Sequence, residues 1–193
     1  MPDPSYKEQA KGLLQAIKAL LDNRVDDAYC YRALIDNYCA IKVGATRKNG
    51  KWATELLRDT KKNKERCFWS KEAIKMKDSG GKVEREHVIP MRAIVEKLRN
   101  LDRPTLEEEI DKKLQSLMWF AVVSPSQHKE FNKVKNSKGE SLRSAMPDEW
   151  NENCPFARYS KTFPTTEETF TWESFFGEEE PNFKKAKWED FDA

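Results

Sequence analysis

The stretch KVEREHVIP, residues 82–90, limits the possible folds of this chain more than any other. Val83, Arg85 and His87 alternate with charged neighbours, a pattern typical of a strand with one partly buried face. Pro90 has no backbone N–H to donate, so the strand must end before it. The segment therefore predicts a short strand that carries Glu86 and His87 at its end.

A second stretch, VVSPSQHKEFN at residues 122–132, predicts the end of a strand followed by the start of a helix. Ser124 suits the N-cap, Pro125 the first helical position and Gln127 the third, where its side chain can return to the cap. In a continuing helix His128 and Asn132, four residues apart, share a face. These two stretches contain both histidines of the chain.

Between and around these stretches the sequence predicts an α+β fold in three parts. Residues 1–79 form a helical, basic N-terminal portion, and residues 80–138 form a core of two strands and a helix with an inserted helical segment at 91–118. Residues 139–193 form an irregular C-terminal extension with an acidic tail. Predicted helices begin near the potential caps at Asp27 and Thr105, and another spans residues 52–62.

Charge is distributed unevenly, although the net charge is only +2. Residues 42–99 contain 17 Lys and Arg against 8 Asp and Glu, whereas residues 165–193 contain 9 acidic residues and 3 lysines. A basic centre is typical of a protein that binds a phosphate backbone, and equally of a solvated lysine-rich surface. We consider three interpretations of the acidic tail: an arm that binds a partner, an arm that folds back onto the basic centre, or part of a small satellite core. Its aromatic residues include Trp172, Phe175, Phe176, Trp188 and Phe191.

Composition narrows the class of protein. No apolar run approaches the roughly 20 residues of a membrane span, and the first residues lack a signal-peptide pattern, so we expect a cytoplasmic protein without membrane contact. The four cysteines form no CxxC pair, which disfavours a zinc ribbon and favours buried thiols over disulfides. The sequence leaves the oligomeric state open, a homodimer included.

The strand ending in Glu86-His87, the second strand and the helix carrying His128 and Asn132 suit a one-metal phosphodiesterase. A carboxylate, an imidazole and an amide oxygen can hold a divalent cation, and the remaining imidazole, that of His87, can accept a proton from attacking water. Arg85, two residues before His87, can clamp the scissile phosphate.

These motifs resemble the HNH nucleases of the ββα-metal superfamily, and the second is similar to the ending of colicin-type nuclease domains. The resemblance implies that Glu86, His128 and Asn132 bind the metal and that His87 is the general base. It further implies cleavage of DNA with magnesium, or with manganese. We expect a phage, restriction or other defence setting.

Three departures from the family pattern carry their own expectations. Ser124 and Gln127 stand where many members have a cysteine pair, so no structural zinc is expected. The middle asparagine has no counterpart, and Asn132 replaces the final histidine, which favours hard cations such as Mg²⁺ or Mn²⁺. The 41 positions from His87 to His128 are accounted for by the inserted helical segment.

Plainer interpretations exist for each residue. His87 can be a buried strand histidine, and His128 and Asn132 can be ordinary helix surface. Three lysines near the second motif either contact phosphates or form a charged face; they are Lys129, Lys133 and Lys135. For the chain as a whole the alternatives are an RNA- or structure-specific nuclease, a non-catalytic nucleic-acid-binding module with a decayed core, and a helical interaction protein.

Overall fold

The computed structural model describes residues 4–42, 47–48, 51–52, 67–102 and 106–163, and this part of the chain mixes α and β structure. It contains seven helices: α1 (Pro4–Asp22), α2 (Ala28–Lys42), α3 (Lys71–Asp78), α4 (Met91–Arg99), α5 (Glu107–Leu117), α6 (Pro125–Glu130) and α7 (Ala157–Thr162). Its strands are β1 (Arg47–Lys48), β2 (Lys51–Trp52), β3 (Cys67–Trp69), β4 (Glu84–His87) and β5 (Phe120–Val123). The α+β class and the helical N-terminal part predicted from the sequence are confirmed.

Helices α1 and α2 pack against each other across a short turn. Leu14, Ile17 and Leu21 recur at helical spacing on α1 and are buried. The turn is closed by the Tyr31 hydroxyl, which donates to the Val25 carbonyl at 2.9 Å. The second helix begins directly after Asp27, the cap that the sequence predicts.

Strand β5 is the centre of a three-stranded sheet with the order β3-β5-β4. It runs parallel to β3 and antiparallel to β4, with Glu86 opposite Ala121 and His87 opposite Phe120. All four β5 residues are buried, as expected for a strand covered on both faces. The predicted pairing partner of β4 is confirmed, and β3 adds a third strand from the N-terminal portion.

The start of α6 is the element that the sequence predicted in most detail. Ser124 caps the helix, Pro125 occupies its first turn, and the Gln127 side chain accepts from the Ser124 backbone N–H at 2.9 Å. The same Gln127 oxygen accepts from the hydroxyl of Ser70, itself the N-cap of α3. One buried amide therefore joins the beginnings of two helices.

Several sequence predictions are wrong. Helix α6 ends at Glu130, so Asn132 lies in the following turn and does not share a helix face with His128. The helix predicted after Thr105 places Leu106 on its inward apolar face, but Leu106 is 57% exposed. The irregular region predicted after residue 150 contains α7, whose Arg158 and Tyr159 are buried.

Some predictions fall outside the described residues: the cap at Thr105, most of the helix at residues 52–62, and the acidic tail. Trp52, where that helix was to begin, lies in β2. Cys39 and Cys67 are buried as predicted, whereas Cys30 and Cys154 are exposed, and all four are free thiols.

Buried apolar side chains from all three predicted parts form one cluster, which extends from Leu14 to Phe163. The N-terminal helices, the sheet and α7 therefore share a core. Within the described residues, no helix combines the length and the apolar character needed to cross a membrane.

Replacing Gln127 by alanine is expected to lower the free energy of unfolding by about 1–3 kcal/mol, because the Ser70 hydroxyl and the Ser124 N–H lose a buried acceptor. Denaturant unfolding measures the change. Gln15→Ala, at an exposed position of α1, is the matched control and should change stability by less than about 0.5 kcal/mol. Equal effects of the two substitutions would contradict the bridging role of Gln127.

Candidate functional site

The end of β4 and the start of α6 meet because β5 pairs with β4 and leads directly into the helix. This connection brings Glu86 of β4 to His128 of α6, with 3.6 Å between the Glu86 Oε2 and His128 Nε2 atoms. Their side chains are 10% and 21% exposed, respectively. Two residues predicted as metal ligands are therefore neighbours in a largely buried setting.

Glu86 has two further partners on α7. Its Oε2 atom lies 3.0 Å from Nη2 of Arg158, and its Oε1 atom accepts a hydrogen bond from the Tyr159 hydroxyl. A buried carboxylate requires such compensation, since an unpaired charge away from water is very costly. Helix α7 supplies it.

Arg158 is itself fixed from several sides. Its side chain is 1% exposed, and it donates to the backbone carbonyls of His87, Val88 and Leu142. Its guanidinium lies 4.5 Å from the centroid of the Phe131 ring, a cation–π distance. A single side chain thus neutralises Glu86 and fastens the backbone immediately after it.

Tyr159 acts as a hydrogen-bond donor in this cluster. Burial raises the pKa of its phenol well above the ordinary value, and the negative charge of Glu86 raises that pKa further. The hydroxyl therefore stays protonated and remains available to the carboxylate.

His87 faces a different partner. Consecutive strand residues point to opposite faces of a sheet, so the imidazole leaves β4 on the side opposite Glu86. Its Nε2 atom lies 2.8 Å from Oδ1 of Asp36 on α2, and its ring centroid lies 5.1 Å from that of Phe120. The side chain is 7% exposed.

The other predicted residues lie at the surface. Arg85 and Asn132 are exposed. The three predicted phosphate-binding lysines are also exposed, and Lys133 forms an ion pair with Glu130 at 2.6 Å.

Glu86 and His128 fit a divalent cation in chemistry and in spacing. Ligands about 2.1 Å from a cation lie about 3.0 Å apart at right angles and about 4.2 Å apart when opposite, and the observed 3.6 Å falls between these limits. A cation would share Oε2 with Arg158. Among the described residues, no group of three or more His, Cys, Asp or Glu side chains forms a ready-made cation site.

Sequence reasoning missed Asp36, Arg158 and Tyr159. Asp36 lies beside the apolar stripe of α2 and gives no local signal of its long-range partner. Arg158 and Tyr159 belong to the segment PFARYS, in which an arginine between aromatic residues was the only indication of burial.

The comparisons with known proteins add no relative: no family model, no curated protein and no solved structure matches the chain. The functional interpretation therefore depends on the geometry and on the two sequence motifs.

Arg158→Met is expected to destabilise the fold by about 3–5 kcal/mol, because it leaves the Glu86 carboxylate buried without its ion-pair partner. Arg143→Met removes an exposed arginine of the same part of the chain and should change the unfolding free energy by less than about 0.5 kcal/mol. Thermal and denaturant unfolding of both variants measures the difference. A tolerated Arg158→Met substitution would show that the buried pair is not needed for the fold.

Proposed function

We propose that this protein is a metal-dependent endonuclease that hydrolyses DNA phosphodiester bonds by an HNH-type, one-metal mechanism. One observation carries the proposal: Glu86, near the end of a strand, lies against His128 on the helix that follows the antiparallel partner strand. This strand, strand and helix arrangement supports the resemblance drawn from the two motifs.

Glu86 and His128 are the residues that would hold the cation, Mg²⁺ or Mn²⁺. When bound, such a cation stabilises negative charge on the phosphate and on the leaving oxygen. The third ligand implied by the resemblance, Asn132, follows the helix instead of lying on its face, so the proposal depends on the other two.

His87 is the proposed general base. It would accept a proton from water while the water oxygen bonds to phosphorus and the bond to the leaving sugar oxygen breaks. His87 and Glu86 are the last two residues of the same strand, so the base and the ligand pair lie at one end of the sheet, with the imidazole and the carboxylate on opposite faces.

DNA is the proposed partner because the central part of the sequence is basic and exposed cations flank the site. Lys129 lies on the helix that carries His128, Lys133 and Lys135 follow that helix, and Arg85 is exposed on β4. Exposed lysines of this kind bind phosphates without reading the bases. A phage, restriction or other defence setting fits such an enzyme.

A second candidate is a nucleic-acid-binding module without catalysis. Arg158 and Tyr159 favour it, because they already compensate the Glu86 carboxylate, as expected for a structural ion pair. Such a module binds DNA in a salt-dependent manner but does not cut it.

His87→Ala and His128→Ala are expected to slow the cleavage of supercoiled plasmid about 10²- to 10⁴-fold, the usual contribution of a general base or of a charge-stabilising group. Wild type should cut with magnesium or manganese and not with a chelator present. Gln15→Ala, remote from the site on α1, is the control and should cut at the wild-type rate. Uncut plasmid, with branched DNA and RNA also intact, would contradict the nuclease and leave the binding module or a helical interaction protein.

Replacing Lys129, Lys133 and Lys135 together by glutamine is expected to weaken DNA binding and to reduce the slope of log affinity against log salt by about 2.7, at about 0.9 per phosphate contact. Fluorescence anisotropy across a salt series measures the slope. The control carries glutamine at Lys7, Lys11 and Lys18 of α1 and should keep the wild-type slope. Equal slopes for both triple variants would show that these three lysines do not contact DNA phosphates.

A further inference from the structure

We infer that Asp36 is a positioning residue for His87, so that helix α2 supplies part of the active site. The inference rests on the proposed function, since it assigns the residue that orients the proposed base. It also means that the N-terminal helices belong to the catalytic unit.

The contact is short and sheltered. Asp36 Oδ1 lies 2.8 Å from His87 Nε2, and the two side chains are 13% and 7% exposed. Nε of Arg32 lies 3.9 Å from Oδ2 of Asp36 and the Arg32 side chain is 55% exposed, so Arg32 is a weaker partner of Asp36 than His87 is. Phe120 limits the rotation of the imidazole from the sheet side.

The chemistry of the pair determines which ring nitrogen carries the proton. An ionised carboxylate only accepts hydrogen bonds, so the proton between the two groups lies on Nε2. In the neutral ring the lone pair is then on Nδ1, and Nδ1 is the atom that can take a proton from water. Asp36 thus selects one tautomer and one ring orientation.

The position of Asp36 on α2 is fixed by its neighbours in the core. Ile35 is fully buried, and Tyr38 is 3% exposed and donates to Asp111 of α5 at 2.6 Å. The carboxylate is therefore presented by a helix that cannot shift without disturbing the core. A general base keeps a precise orientation only when the residue that holds it is itself held rigidly, as Asp36 is here.

Nitrogen-15 NMR tests the inference directly, because the chain has only two histidines and their ring signals are readily separated. In the neutral ring, wild type should show His87 as the Nε2–H tautomer. Asp36→Ala should give a mixture of tautomers. Asp36→Asn, which keeps the side-chain size, should do the same, because an amide can both accept and donate.

A matched control is Asp111→Asn, which alters another carboxylate that links α2 to a neighbouring helix. It should leave the His87 ring signals unchanged, even if it lowers stability. Cleavage by Asp36→Ala and Asp36→Asn should fall about 10- to 100-fold in kcat with little change in KM, as for other residues that orient a reacting group.

The outcomes separate this inference from the proposed function. If wild type cuts DNA and both Asp36 variants cut at the same kcat, the positioning role is overturned and the nuclease stands. If the tautomer does not respond to Asp36, the role is likewise overturned. If wild type does not cut although Asp36 sets the tautomer, the proposed function fails and the pair is structural.

Discussion

The rest of the site depends on the interactions of the Arg158 guanidinium. It joins α7 to the backbone that follows β4 and to the Leu142 carbonyl, and it balances the charge of Glu86. These groups come from distant parts of the sequence and are buried together. Because buried polar groups are costly when left unpaired, the position of α7 and the orientation of Glu86 are determined together.

The same arrangement sets the conditions under which Glu86 could bind a cation. Its carboxylate is already ordered by Arg158 and Tyr159, so little conformational freedom remains to be lost on binding. A cation would contend with the positive guanidinium, because Nη2 of Arg158 lies 3.0 Å from the same Oε2 atom. Moderate metal affinity is the expected consequence.

Where the sequence encodes structure locally, prediction worked. The start of α6 follows from Ser124, Pro125 and Gln127, because a capping residue, proline and glutamine act within one turn. The Gln127 amide also accepts a hydrogen bond from Ser70 and so joins two helix starts. The partner strand β5 was evident from its run of strand-forming residues.

Prediction from the sequence failed where the contacts that position a residue come from distant parts of the chain. The burial of Arg158 depends on carbonyls some 16 and 70 positions away, and the role of Asp36 depends on a strand 51 positions away. Spacing alone also suggested that Asn132 lies on the face of His128, but this holds only while a helix continues, and α6 stops at Glu130. Amphipathic periodicity predicts which face of a helix is buried, but it does not identify the elements that pack against that face.

The proposed metal centre is tested most directly by a crystal structure of the protein soaked in manganese, with the anomalous signal used to locate the ion. A centre built on Glu86 and His128 predicts a peak within coordination distance of both residues, with His87 still paired to Asp36. A peak confined to other residues, or no peak at a manganese concentration that saturates cleavage, would contradict a metal centre built on Glu86 and His128.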